Sequence, residues 1–271
     1  MTSRRIAELP APEVARRLAA GAAVLLPMGS TETHGPALPM GDFLIAEAVA
    51  ERIAEAAAAR GDDALLAPVI PFGGEDFFAG VPGGVSLSLP LLQGLIEETA
   101  TAFLRTGTRR LLIVNGHGGN IPAIEAATRN LRRREGAIVP ALHLWRVAGT
   151  LHGPLGGDPA ALGHGGDPVY SVALHLRPDL CHPEAAVPRA GPAPPFLGLA
   201  VTGFGTVRAG EAEVAMPLTI EEIAPGGVQA PDPRGASAAH GARLVERLVA
   251  AGVAVLDAMR AAAEATASPA G

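Results

Sequence analysis

Short apolar runs alternate along this chain with longer, Ala-rich stretches whose apolar positions repeat at helical spacing. Residues 22–28 (AAVLLPM), 64–71 (ALLAPVIP), 110–114 (RLLIV) and 137–145 are strand-length apolar runs. Between them, 43–60, 90–106 and 121–135 place apolar side chains three and four residues apart, the spacing of one helix face. Pro122 sits where a helix start tolerates proline, and Asp42 stands where it can cap the helix that follows it. Strand and helix in alternation predict an α/β fold with three layers, α/β/α, around a mostly parallel sheet.

The second half of the chain changes texture. Residues 149–167 (GTLHGPLGGDPAALGHGGD) are rich in Gly, Pro and His, a composition that suits a functional loop or lid better than a plain connection. Residues 183–195 form a Pro/Ala spacer, 199–218 predict two short strands around Gly203 and Gly210, and 236–266 predict one long amphipathic helix. With no internal repeat, residues 1–271 are expected to form a single domain.

Composition narrows the function. The chain is 48% hydrophobic but only 3% aromatic, so its core is built from Ala, Val, Leu and Ile. All 21 Lys and Arg positions are Arg, which excludes Schiff-base and Lys general-base chemistry. A net charge of -6 offers nothing to nucleic acid or to anionic lipid. Cys181 is the only cysteine, so no intramolecular disulfide or thiolate cage forms. Glu8, Pro10, Pro12 and Glu13 interrupt the basic start, which is therefore not a secretory leader, and no apolar stretch spans a membrane. The expectation is a soluble, cytoplasmic protein with a small-molecule substrate and neither nucleic-acid nor membrane partners.

Two polar loops carry the candidate chemistry. Gly29-Ser30-Thr31-Glu32-Thr33-His34-Gly35-Pro36 leads on to Asp42 after the first strand, and Asn115-Gly116-His117-Gly118-Gly119-Asn120 follows the third. Ligands of open parallel sheets collect at the carboxyl ends of strands, so both loops open on one sheet edge. In extended backbone residues i and i+2 point the same way, which brings Glu32 and His34 together and turns Thr33 aside. Each feature has a plain reading by itself: Asp42 as a cap, the Asn115–Asn120 loop as a turn or anion nest, Glu32 and His34 as a solvated edge. Their coincidence at two strand ends points instead to a metal site. Two carboxylates and two imidazoles without sulfur suit zinc, manganese or iron(II), and a bridging Asp42 admits one ion or two.

The same residues resemble a known family. Residues 29–42 (GSTETHGPALPMGD) look like the creatininase signature, and 115–120 (NGHGGN) and 81–87 (VPGGVSL) are similar to its second motif and its Pro-Gly segment. His164-Gly165-Gly166-Asp167, with Ser171 beyond, resembles its His-Ala-Gly-Glu segment. The resemblance implies a metal-dependent amidohydrolase with an α/β/α fold, assembled as a homo-oligomer, a hexamer among the forms expected. It carries Glu32, His34, Asp42 and His117 onto the ligand positions, Asp42 bridging, and His164 onto the residue that handles protons. Members hydrolyse creatinine, deformylate pyrimidine intermediates or trim modified peptide precursors.

Four features depart from that pattern: Ala37 replaces a His, one residue is missing before Asp42 in Met40-Gly41-Asp42, and Gly119 and Val169 replace carboxylates. Asp167 offers either a substitute ligand or a helix cap before Pro168. Amide, cyclic amide or formamide hydrolysis is the leading expectation; a peptidase, a metal lyase or isomerase, and a degenerate non-catalytic member are the rivals. His143, beside Trp145, is placed to line the pocket, while His152, His175, His182 and His240 lack motif context and are expected at the surface or in packing.

Overall fold

The computed structural model describes residues 3–74, 76–78, 80–189 and 191–267. Met1 and Thr2 of the basic start and Ala190 of the 183–195 spacer lie outside them. Helix α1 (Ala11–Ala19) precedes β1 (Ala23–Met28), α2 (Asp42–Ala59), β2 (Ala64–Leu66), β3 (Gly73–Gly74) and β4 (Ser86–Leu87). Then follow α3 (Leu89–Arg105), β5 (Leu111–Asn115), α4 (Ile121–Glu135), β6 (Ala141–His143), α5 (Leu144–His152) and α6 (Val169–Leu176). Strands β7 (Ala200–Gly203), β8 (Thr206–Ala209) and β9 (Ala212–Ala215), helix α7 (Ile220–Ile223) and helix α8 (Ala238–Ala267) complete the chain.

The central sheet runs β2-β1-β5-β6, and every pairing in it is parallel. Its strands are continuous apolar runs because both faces are covered. All six residues of β1 are buried. Alternate side chains part to opposite faces: Ala23 and Leu25 join Leu112, Val114, α2, α6 and α8, while Val24, Leu26 and Met28 join Leu111, Ile113, α3 and α4. These two cores, one on each side of the sheet, are the three expected layers. Pro27 is tolerated in a central strand because its carbonyl, and hence its missing N–H, faces the side where β2 has already ended; there it accepts only from Ile70 N.

Several segments differ from expectation. The fourth strand shrinks to Ala141–His143, because helix α5 starts at Leu144 and takes in the beginning of the Gly-rich segment. Strand β2 stops at Leu66, and only Ile70 returns to bridge Met28. Residues 200–215 form three antiparallel strands rather than two, a small sheet with its own apolar cluster around Phe78, Val207 and Ile220. Helices α1 and α6 add to the expected elements.

Candidate metal centre

Both polar loops leave adjacent, hydrogen-bonded strands, β1 and β5, at their carboxyl ends. Thr31 bridges Gly41 on one side and Val85 on the other, which holds the first loop extended. Glu32 and His34 therefore share a side, with His34 Nε2 3.3 Å from Glu32 Oε1. Thr33 turns away and accepts a hydrogen bond from Gly35 N.

Asp42 is the first residue of α2 but does not cap it; Gly41 stands at the cap position. Its carboxylate reaches back to accept from Ser30 N at 2.5 Å and from Ser30 Oγ at 3.2 Å. A Cβ on Gly29 would lie 2.3 Å from Asp42 Oδ1, so the close approach requires glycine there.

His117 is oriented from behind. Asn115 Oδ1 accepts from His117 N, and Asn120 bridges Gly29 O, Asn115 Oδ1 and Gly74 N. His117 Nε2 donates to Gly74 O at 3.1 Å, which leaves Nδ1 facing Glu32 Oε2 at 2.8 Å and Asp42 Oδ2 at 3.4 Å. A ring nitrogen tied to a backbone carbonyl, with the other turned to carboxylates, is the arrangement of a metal-binding histidine.

The electrostatics show how tightly these groups are coupled. Burial pushes the Glu32 carboxyl up, but the imidazoles of His117, His34 and His164 outweigh it and hold it near 2. Burial, reinforced by the Glu32 charge, raises Asp42 to about 7. Burial works against the His117 imidazolium, yet Glu32 and Asp42 raise it well above its ordinary value. His34 falls to about 4, chiefly through burial and then through His164. Protons thus stand where opposite charge is needed.

Two buried atoms, Glu32 Oε2 and His34 Nδ1, have no hydrogen-bond partner; the 2.8 Å approach of Glu32 Oε2 to His117 lacks hydrogen-bond alignment. Ligand atoms from Glu32, Asp42 and His117 lie within 4.8 Å of one another, as do those of Glu32, His34 and His164. The residues present therefore fit a divalent ion.

His164 stacks on His34 with ring centroids 4.7 Å apart, and its Nε2 donates to Thr33 O at 2.6 Å. Burial lowers its pKa. The centre forms the floor of a cavity of about 520 Å³, walled by Phe77, Phe78, Trp145 and Phe204. Gly119 and Val169 line it without contributing a carboxylate.

A model of the creatininase family, described as creatinine amidohydrolase, matches residues 7–256. The chain belongs to the creatininase family. It is 33% identical over 214 residues to the creatinine amidohydrolase of Pseudomonas putida, covering 68% of this chain and 78% of that one. It is 38% identical over 160 residues to the mycofactocin precursor peptide peptidase of Mycolicibacterium smegmatis, a match spanning 58% of each chain. A crystal structure of creatinine amidohydrolase superposes with a TM-score of 0.71 at 28% identity, covering 94% of this chain and 96% of that one. Family structures include one named for Mn and one of Zn-Zn type.

The fold brings Glu32, His34, Asp42, His117 and His164 together around one cavity. Asp167 lines the same cavity, but its ligand-type neighbours are His152 and His240. His143 does not line the cavity; its Nδ1 faces Asn115 Nδ2 at 3.2 Å, and Trp145 forms the wall instead, its Nε1 donating to Gly116 O. Phe77, Phe78 and Phe204 were missed. Phe204 occupies the turn between β7 and β8, and nothing in its sequence context marks it as approaching residues so distant in the chain.

Proposed function

We propose that this creatininase-family chain is a metal-dependent hydrolase of a carbon–nitrogen bond in an amide, cyclic amide or formamide of a small molecule. The observation that carries the reading is the convergence of Glu32, Asp42 and His117 Nδ1 on one buried point, with an unpartnered carboxylate oxygen among them. Those three side chains would hold one ion, and Glu32 and His34, which share the second ligand group with His164, would hold another. The ion supplies a Lewis acid that polarises a carbonyl and lowers the pKa of water toward neutrality. Zinc is the first expectation, with manganese or iron(II) next.

The protein's own groups do the rest. Gly74 O fixes His117 as the Nε2–H tautomer. With Nε2–H committed to Thr33 O, His164 exchanges protons through Nδ1 and delivers one to the leaving nitrogen. Phe77, Phe78, Phe204 and Trp145 keep bulk water from the reacting amide and receive the apolar part of the substrate.

A second reading, trimming of a short modified peptide, draws on the peptidase relatives and on a cavity roomy enough for a drug-sized ligand. Zinc-loaded protein offered cyclic amides, formamides and short peptides, with products weighed by mass spectrometry, separates the readings. Cleavage with uptake of one water by any of these supports hydrolysis. Conversion without change of mass would make the protein an isomerase and overturn it.

We place the working protein in the cytoplasm as a single-domain homo-oligomer. The free, buried Cys181 agrees with a reducing compartment, and the shared sheet between the two cores agrees with one domain. Among the described residues no helix is long and apolar enough to cross a membrane.

A further inference from the structure

His152 and His240 lack motif context in the sequence, yet both are buried beside Asp167. His152 ends α5, Asp167 lies two residues before α6, and His240 is in the first turn of α8. Each is at most 3% exposed. His152 Nδ1 is 3.1 Å from His240 Nε2 and 3.7 Å from Asp167 Oδ2. One ligand atom from each of the three lies within 4.8 Å of the others.

Asp167 Oδ1 accepts from Ser171 N at 2.8 Å, while Oδ2 is buried without a hydrogen-bond partner. An unsatisfied carboxylate oxygen in such a place is costly unless something positive meets it. His152 Nε2 donates to Asp158 O at 2.9 Å, which leaves the lone pair of Nδ1 inside the cluster. Arg243 Nη2 donates to His240 Nδ1 at 3.2 Å, while Arg243 Nε donates to Leu155 O. With Nδ1 accepting, the His240 proton sits on Nε2 and is donated to the lone pair of His152 Nδ1. A divalent ion that displaces this shared proton would meet both imidazole nitrogens and the unpartnered Asp167 Oδ2.

We propose that His152, Asp167 and His240 form a second metal site, for one zinc-like divalent ion, separate from the centre at Glu32. Zinc bonds of about 2.0–2.1 Å place tetrahedral ligand atoms roughly 3.3–3.4 Å apart, and the two separations observed here bracket that value. Two imidazoles and one carboxylate are a zinc donor set, and the second nitrogen of His152 is held by a backbone carbonyl, as in bound histidines. The site is also shaped for the ring: a Cβ on Gly157 would lie 2.3 Å from His152 Cε1. The ion's role is to tie together α5, the loop carrying His164 and α8, so that His164, three residues before Asp167, is held against His34.

Metal content tests the site without reference to turnover. Glu32→Ala combined with His117→Ala removes the first centre; after zinc loading and gel filtration, this protein retains about one equivalent per chain by plasma mass spectrometry. Adding Asp167→Asn or His240→Ala removes that equivalent, and cobalt substitution shows tetrahedral visible bands that the same changes abolish. A folded Glu32→Ala, His117→Ala protein that holds no metal overturns the proposal and leaves a proton between His152 and His240. Where that protein does not fold, Asp167→Asn is made in the otherwise unchanged chain. A fall of about one equivalent supports the site, and unchanged content overturns it. Failure here leaves metal and turnover at Glu32 intact, so it is distinguishable from failure of the hydrolase reading.

Discussion

Among its described residues the chain builds two buried histidine–carboxylate clusters, and it builds them in different ways. The one around Glu32 is made where two neighbouring parallel strands end, from side chains that the loops after β1 and β5 deliver to one point. The one around Asp167 is made where helices end and begin, from residues 152, 167 and 240 contributed by α5, the turn before α6, and α8. Strand ends impose a shared edge and a period of two, so the first cluster follows from local rules. Helix ends impose no such alignment. The second cluster exists only because α6 and α8 pack on the same face of the sheet.

The comparison breaks first at the ligands. Glu32→Ala with His117→Ala is expected to reduce turnover to background, a loss well beyond the roughly 10–100-fold that a supporting residue costs. The melting curve of this protein should still respond to zinc through the Asp167 cluster. Hydrolysis surviving both changes would mean that the chemistry lies elsewhere.

Next comes the shell that orients His117. Asn120 touches no proposed ion but joins Gly29, Asn115 and Gly74, the last of which holds His117 Nε2. Asn120→Ala should weaken zinc binding at the first centre by about 10–100-fold. Titration against a competing chelator measures this, and affinity within twofold of the parent would show that His117 is held by packing alone.

The two clusters also differ in how far the sequence exposed them. The α/β/α layering was legible because β1 and β5 are apolar without interruption and their flanking helices keep a 3.6-residue period. The candidate metal centre was legible because Glu32, His34 and Asp42 fall within one short loop. Asp42 was misjudged in one respect: as a helix-leading aspartate it looked like a cap, and only Ser30 folding beneath it shows why its carboxylate turns back. His152 and His240 were indistinguishable from packing residues, since they lie 15 and 73 positions from Asp167 in the chain. Phe204 was hidden for the same reason, being brought to His164 by a small antiparallel sheet that shares no register with the central one.

A smaller effect tests whether that distant sheet belongs to the first centre at all. Phe204 stands 5.3 Å from His164 and 5.8 Å from Phe77, ring centroid to centroid. Phe204→Ala should raise KM about 2–10-fold with little change in kcat, the scale of an aromatic contact worth ~0.5–1.5 kcal/mol. An unchanged KM would exclude the β7–β8 turn from substrate binding.

The smallest effect is a difference in the sign of pH dependence, read on metal-free protein. At the first centre the folded chain keeps protons that the unfolded chain releases: Asp42 holds one from 3.8 up to about 7, and His117 holds one from 6.5 up to its raised value. Stability from both groups is therefore present at low pH and lost as pH rises through their folded values. His34, lowered to about 4, acts in the opposite sense only below 6.5, so above 6.5 the loss is uncompensated within this centre. In the second cluster burial lowers His240, whose stabilising contribution is present above 6.5 and lost as pH falls. Chelator-treated protein should then melt at progressively lower temperature from about pH 6.5 to 8.5, with His117→Asn flattening that slope. Zinc should reverse it, because a cation that replaces those protons binds better as they leave. A metal-free melting temperature that rises over this range would show that Glu32, Asp42 and His117 do not share the protons their geometry assigns to them.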